Sequence, residues 1–518
     1  MNDVSPAVAA AVAVALVAAT VVSALRWLRV CQREHYLPGS TSTFFQRWQW
    51  SSPANTAATV AKIVTVVAGL YVPAAWLGTA VLIAITPIGL PVRGRTGSLA
   101  WTARLRRLAG IAAAVAVVVV AVTALIGASL VGLVVVALLV PVLIDAAAAI
   151  AKPIEARMLG RFVDEAAEKL RRIDPTVIAI TGSYGKTSTK EYVRALLGRS
   201  FEVCPSPASF NNRAGLARAV NESLHPGAQF FIAEMGTYGP GEIRELCSWV
   251  PPRVSILTAI GPVHLERMKT LDTIVSAKRE IFEHAEVAVL NVDDPKLAPL
   301  ADELAAAGMR VVRCGSVAPD LDVRVIELSR DDDATRVRIE VGGQTLEAAA
   351  PEGGLQLTNL ACAIGAATAV GLDASVIPAG VADIHAPAHR QVVERGPSGI
   401  WVIDVSFNSN PAGARSALAR LMAIDTTGRR VIVTPGMVEL GATQAAENEA
   451  FAREAAAQVD DLVIVTRTNR AALLAGAARG RAKVHWFPHR DAATEWVRAE
   501  LRDGDAVLYE NDLPDIFP

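Results

Sequence analysis

The sequence is poor in cysteine and has no CxxC pair: Cys31, Cys204, Cys247, Cys314 and Cys362 stand far apart. Such spacing offers neither a disulfide framework nor a structural zinc site, and it fits a reducing compartment. Neither sign of charge is in excess, and a net charge of −1 gives no electrostatic footprint for nucleic acid. There is no internal repeat and no long disordered tract. The first residues, Met-Asn-Asp-Val, lack the basic start of a cleaved signal peptide, so the apolar run behind them is expected to stay in the mature chain. Finally, "TGSYGKTST" (181–189) lacks the first glycine of the standard phosphate loop G-x-x-x-x-G-K-[ST]; Ile180 stands in its place.

What the sequence does have is apolar residues, 52% of the chain, and they crowd into residues 1–151. "SPAVAAAVAVALVAATVVSAL" (5–25) is long enough to cross a bilayer, which takes about 20 residues. Residues 56–91, apolar except for Lys62 and with Pro73 near the middle, and residues 108–151, with "GAS" at 127–129, are each too long for one crossing. Each reads as a hairpin of two, giving five expected spans at about 5–25, 56–72, 74–91, 108–126 and 130–151. Charge placement agrees. Arg26, Arg29, Arg33 and Arg47, then Arg93, Arg95, Arg104, Arg106 and Arg107, then Lys152 and Arg157 all fall on one side, and the hairpin tips carry no Lys or Arg. The positive-inside rule then puts the amino terminus outside and everything after 151 in the cytoplasm, in a multi-pass protein of the cytoplasmic membrane. A transporter is disfavoured, since Lys62 and Asp145 are the only candidates for charges buried in the spans.

Beyond the spans, 152–174 reads as an amphipathic linker helix. Strand-like runs then alternate with helical patterns at 176–182, 230–236, 254–261 and 285–294, and a polar–apolar alternation over 322–351 marks small antiparallel strands. After a boundary near 383–390, further strands are expected at 401–405, 430–436, 461–466, 483–488 and 505–512. The expected fold is therefore an N-terminal α-helical transmembrane bundle followed by two α/β domains. Residues 175–384 form a P-loop, parallel-sheet ATPase domain and 385–518 a Rossmann-like C-terminal domain.

Chemistry-bearing residues cluster at the ends of the expected strands. Gly182 and Gly185 would let the backbone approach phosphate oxygens, with Lys186 supplying charge and Thr187 or Ser188 a hydroxyl for Mg²⁺. Glu234, ending a strand, could hold the metal; His264 follows another strand, and Lys278 lies on a helix. Taken singly, each has a plain structural alternative: a glycine turn with a solvated lysine, a turn glutamate, a core histidine, a surface lysine.

As a set, "TGSYGKTST", "SFNN" (209–212), "AEMG" (233–236), "IGPVHLE" (260–266), "AKREIFE" (277–283) and "NVDDP" (291–295) resemble the central domain of the Mur ligase family, whose loop is the short G-[TS]-x-G-K-[TS]-[TS] form. Within the family the similarity is to the MurF type, which adds D-alanyl-D-alanine to the peptidoglycan peptide. "VIDVSFNSNPAGARSAL" (402–418) and "TPGMVELG" (434–441) resemble that type's C-terminal domain, so the likeness covers about 175–510.

The resemblance implies an ATP-dependent ligase that phosphorylates a carboxylate and lets an amine attack the acyl phosphate. It implies that Gly182, Ser183, Gly185, Lys186, Thr187 and Ser188 hold ATP phosphates and that Thr187 and Glu234 hold one Mg²⁺. His264 and a carbamylated Lys278 would hold a second Mg²⁺. Lys186, His264 and Lys278 form the catalytic set. Asn291 and Asn359 would face the adenine, while Arg390 and Asp404 close on the nucleotide. Asn211, Asn212, Ser406, Phe407, Asn408 and Asn410 would contact substrate.

Three departures stand out. Membrane helices replace the UDP-gripping domain, the C-terminal "K-G-S-R" is missing from a chain ending "LYENDLPDIFP", and Thr358-Asn359 replaces His-Asn. The expectation is a membrane-anchored ligase joining an amino acid or short peptide to a cell-envelope precursor, with a lipid-linked acceptor suggested by the missing UDP-gripping domain. A poly-γ-glutamate-type synthetase and a decayed nucleotide-binding scaffold are the alternatives, and the oligomeric state is open.

Overall fold

Runs of Ala, Val and Leu have no polar side chains to compete with helical hydrogen bonding, and the caps at their ends fix where the helices start. Helix Pro6–Arg33 begins with proline at its first position and with the Ser5 hydroxyl accepting from Val8 N at 3.4 Å. Ser52 caps Pro53–Tyr71 and Thr102 caps Ala103–Leu125 in the same way. The computed structural model describes residues 5–94, 98–207, 210–263, 265–330, 334–351, 355–384, 392–396, 398–405, 409–513 and 516–517. The chain divides into two units, Met1–Leu159 with Leu513–Pro518, and Gly160–Asp512.

In the first unit, Pro6–Arg33, Pro53–Tyr71 and Ala103–Leu125 are long and apolar enough to cross a membrane. A fourth crossing counts if Ser129–Leu138 and Val140–Ile173, bent by 78°, form one span. The crossing expected at 74–91 is shorter than anticipated: a three-residue 3₁₀ turn leads into ten helical residues, Trp76–Ile85. That is about 20 Å of helix against a hydrocarbon core of about 30 Å. The helices are apolar on their outer faces as well, with Val14, Val17, Val64, Val117, Val118 and Val122 all exposed. A helix apolar all round calls for apolar surroundings.

Two polar devices organise this unit. Arg26 donates to the carbonyls of Leu90, Thr86 and Ala84 at 2.9, 2.6 and 3.0 Å, closing the carboxyl end of the short helix. Asp145 accepts from Thr41 N, Ser42 N and Ser42 Oγ at 3.2, 2.8 and 2.6 Å, so a buried carboxylate caps helix Ser40–Gln49. The chain's end also belongs here, where the amino-acid pattern gave no sign of it. Trp48 Nε1 donates to Ile516 O at 2.8 Å, and Phe517 meets Phe44 edge-on at 5.1 Å.

The second unit holds two sheets. Strands β1 (Thr176–Thr181), β2 (Val203–Pro205), β3 (Phe230–Glu234), β4 (Val254–Leu257), β5 (Val287–Asn291), β6 (Arg310–Gly315), β7 (Val323–Arg330), β8 (Ala334–Val341) and β9 (Gln344–Pro351) form the first, in the order β2-β3-β1-β4-β5-β6-β7-β8-β9. It is parallel up to β7 and antiparallel through β8 and β9. Ile178, Ile180, Ile232, Ile256 and Val289 form the centre of its core, packed against Val193 and Leu196 of helix Lys186–Leu197 and Ile364 of helix Leu357–Ala369. The second sheet comprises β10 (Val392–Arg395), β11 (Trp401–Val405), β12 (Arg430–Thr434), β13 (Asp461–Val465), β14 (Lys483–Phe487) and β15 (Ala506–Glu510). Its order is β10-β11-β15-β12-β13-β14, with only β10 antiparallel. Strands β2, β6 and β10 have no counterpart in the sequence expectations; β2 is three residues long and β6 carries Arg310 and Arg313 among its apolar residues.

Replacing Asp145 by Ala should unsettle helix Ser40–Gln49 by about 1–2 kcal/mol, the usual worth of a lost cap. Amide hydrogen exchange at residues 41–44 of the detergent-solubilised chain should then quicken by roughly tenfold, while helix Lys186–Leu197 stays unchanged.

Candidate functional site

β1 lies between β3 and β4, so the chain reverses its direction of travel across the sheet there. Ligand crevices open at the carboxyl ends of strands around such a point. Three connections meet there: the loop 182–185 after β1, Glu234 at the end of β3, and Thr258–Gly261 after β4.

The loop has the conformation its glycines allow. Gly182 has φ +154° and Gly185, capping helix Lys186–Leu197, has φ +80°. A Cβ on Gly185 would lie 2.4 Å from Asn359 Oδ1, so the glycine also makes room for the start of helix Leu357–Ala369. The β4 connection holds the loop in place. Ser183 N donates to Ala259 O at 2.8 Å, Gly261 N to Ser183 Oγ at 3.0 Å, and the Thr258 hydroxyl to Tyr184 O. The amides at the start of the following helix thus face the crevice, the arrangement that binds anions. Lys186 Nζ donates to Gly182 O at 2.8 Å, folding across the loop it belongs to.

Glu234 is buried and multiply held. Thr187 Oγ1 donates to its Oε2 at 3.0 Å and Asn211 Nδ2 to its Oε1 at 3.2 Å. Lys190 Nζ sits 3.5 Å from the same Oε2 and donates to Ser206 O at 2.8 Å, while Glu234 N donates to Ser206 Oγ at 3.1 Å. A hydroxyl and a carboxylate oxygen already within 3.0 Å of each other form a hard-oxygen pair that fits Mg²⁺. Lys190 was not expected from sequence. Its one signal was its place one helical turn after Lys186, on the face that turns inward.

Lys278 is buried on helix Leu271–Arg279. Burial, and secondarily the charge of Lys186, holds its amine well below the ordinary lysine pKa. A neutral amine is the form that adds CO₂. Tyr184 packs its ring where a Cβ on Gly261 would fall, and burial pushes its phenol far above the usual value, with Glu447 and Asp294 adding to the shift. Asp294 Oδ2 accepts from Ile260 N at 2.7 Å.

The remaining expected residues divide. Asn359 lies against the loop. Asn291 Nδ2 donates to Thr258 O at 3.0 Å and its Oδ1 accepts from Asp293 N at 3.2 Å, so its amide braces the β4 connection from behind. Asn212 and Asn410 are helix caps, each accepting from a glycine N three residues on, at 2.9 and 2.8 Å. Ser188 lies in the first turn of helix Lys186–Leu197. Asp404 is in β11, paired in register with Tyr509 of β15. Beside it, Glu510 is fully buried between the hydroxyls of Ser409 and Thr434, and burial raises its pKa. His264, Arg390, Ser406, Phe407 and Asn408 lie outside the described residues.

With this geometry in hand, comparison with known proteins is direct. The family model described as the Mur ligase middle domain matches residues 180–367, and the Mur ligase, glutamate ligase domain matches 389–509. The UDP-N-acetylmuramoyl-tripeptide–D-alanyl-D-alanine ligase of Mycobacterium tuberculosis is 33% identical over 367 residues, which span 64% of this chain and 69% of the relative. A crystal structure of MurF from Acinetobacter baumannii superposes with a TM-score of 0.60 at 24% identity, covering 68% of this chain and 77% of that one. MurF ligase from Thermotoga maritima, in complex with ADP, gives 0.57 at 22% identity, covering 68% and 80%. The two structures support the fold.

Gly185→Ala should be incompatible with this site, since it places a methyl group 2.4 Å from Asn359 Oδ1 at a φ of +80°. We expect a stability loss of about 1–3 kcal/mol and nucleotide affinity reduced at least tenfold, read by thermal unfolding and by titration with ATP.

Proposed function

The chain belongs to the Mur ligase family and is an ATP-dependent, amide-forming ligase, and from that premise we propose that it acts as a MurF-type enzyme. It joins D-alanyl-D-alanine, or an amine component of that kind, to a carboxylate of a peptidoglycan precursor. It works from the cytoplasmic face of the membrane in which residues 5–151 are embedded, with the amino terminus outside. The observation that carries the reading is the pairing of Thr187 with Glu234 beside the loop that Lys186 folds across, at the β3–β1–β4 switch.

A carboxylate is a poor electrophile, and its phosphorylation by ATP creates a leaving group for the attacking amine. The protein's part is positioning and charge neutralisation. Loop amides and Lys186 grip the outer phosphates. Thr187 and Glu234 would hold a Mg²⁺ ion, with Lys190 and Asn211 keeping the carboxylate aimed. Lys278, once carbamylated, and His264 would hold a second ion. Mg²⁺ bound at these groups would offset the negative charge on the transferred phosphoryl. Asn359 contacts the adenine side, with Asn291 setting the wall behind it. Asn211 and Asn212 face the acceptor, while Arg390, Asp404, Ser406, Asn408 and Asn410 act from the C-terminal part of the chain.

The decisive experiment incubates the full chain in detergent with ATP, Mg²⁺, peptidoglycan precursors and an amine pool, following phosphate release and product mass. Release that depends on one acceptor–amine pair, with one unit added, is expected; a polymeric product would replace this reading with a poly-γ-glutamate-type synthetase. Lys186→Ala should lower turnover by at least about a hundredfold, and near-normal turnover would sink the assignment. Lys278→Ala should lose activity that acetate partly restores, because a small carboxylate can take the carbamate's place. Failure of rescue with Mg²⁺ binding intact would remove the carbamate from the mechanism.

A further inference from the structure

The helical unit contains a cavity of about 480 Å³, within the range of small-molecule sites. Its walls are mainly apolar, from Trp27, Ile63, Val66 and Leu138 among others, and Ile63 and Trp50 are also exposed on the outside, so it opens between helices. Among the described residues that line it, Lys62 is the one formal charge. Lys62 Nζ donates to Thr86 Oγ1 at 3.2 Å, and Thr86 Oγ1 donates in turn to Leu82 O at 2.6 Å. Among the described residues no carboxylate pairs with Lys62, and Asp145 is engaged elsewhere as a helix cap.

An ammonium in apolar surroundings needs an anion or a function. The position of this one narrows the choice. Thr86 precedes the arginine-bearing segment 92–107, and Gln49, which also lines the cavity, ends the helix of the basic segment 26–55. Lys62 is midway along helix Pro53–Tyr71, and its ammonium reaches Thr86, just past the end of helix Trp76–Ile85 that leads into the basic segment, so it faces the side from which a headgroup of that leaflet would enter. A compact ammonium is a point-charge partner for phosphate, and the apolar wall continuing from it suits one hydrocarbon chain.

We propose that this cavity binds a single-chain lipid phosphate, of the polyprenyl phosphate or pyrophosphate class, with its phosphate on Lys62 and its chain along Ile63 and Val66. The inference rests on reading the unit as membrane-embedded and deepens the proposed function by naming the anchor of its acceptor. It accounts for Lys62 without a protein partner and gives the helical unit a substrate-holding role.

The test titrates the full chain in phosphatidylcholine nanodiscs with radiolabelled polyprenyl phosphate, without ATP or amine. Saturable binding is expected, with competition by unlabelled polyprenyl phosphate and none at equal concentration from polyprenol, phosphatidylglycerol or inorganic phosphate. Lys62→Met should weaken binding about tenfold, and Lys62→Arg should largely preserve it. Ile63→Trp, which fills the cavity and keeps the charge, should also weaken it, and the helical circular dichroism and thermal unfolding of each variant report folding of the helical unit. Undiminished binding by Lys62→Met or Ile63→Trp, or equal competition by any of the three other compounds, overturns the proposal. Absence of saturable binding does the same. Turnover with a soluble, nucleotide-linked acceptor is measured separately, so the ligase reading stands or falls on its own result.

Discussion

β1 has parallel neighbours on both sides, β3 and β4, and the site depends on this one constraint. Register puts Ile180 of β1 beside Glu234 of β3, and Thr181 beside Leu257 of β4. The glycine loop, the Glu234 carboxylate and Thr258 therefore emerge at one level from three strands that are distant in sequence. The Thr258 hydroxyl and the Ser183–Gly261 hydrogen bonds then tie two of these connections into one rigid floor. Glu234 closes the third, because Lys190 offsets its charge and Asn211 and Thr187 fix its two oxygens. A buried carboxylate without such partners would protonate or rearrange.

How much of this the sequence disclosed follows from how local each feature is. The loop was legible because strand, glycines, lysine and helix start are contiguous. Most strands of both sheets were legible from short apolar runs, such as Val177–Ile180 and Val287–Leu290, or from polar–apolar alternation, as in β7 to β9. Lys190 was not, because its burial depends on Ser206 and Glu234, which only the fold brings to it. Asn212 and Asn410 illustrate a different limit. A motif shared with relatives says that a residue matters, but the cap hydrogen bonds show each one also starting a helix. Asn291, expected at the adenine, uses both ends of its amide within the chain.

In the helical unit, apolar composition predicted helices well and their lengths poorly. Composition over 74–91 is uniform enough for a full crossing, yet the helix stops at Ile85 because Pro87 lacks an amide proton and disfavours helix at the residue before it. Arg26 then accepts the role of cap for the carbonyls released there. An arginine that reads as a loop charge in the sequence is thus a structural part of the helical unit.

Lys62 and Asp145 look alike in the sequence, as single charges inside apolar runs, and the structure separates them. Asp145 meets two backbone amides and a hydroxyl at a helix start, where the helix dipole favours a negative charge. Its retention is explained by folding alone. Lys62 meets one hydroxyl that already donates to a carbonyl, beside a cavity with no other charge among its described lining residues. An apolar residue in its place would fill the same helix position without desolvating an ammonium, so stability gives no reason to keep it. A binding role does, and the positive charge of the ammonium calls for an anion at the mouth of an apolar cavity.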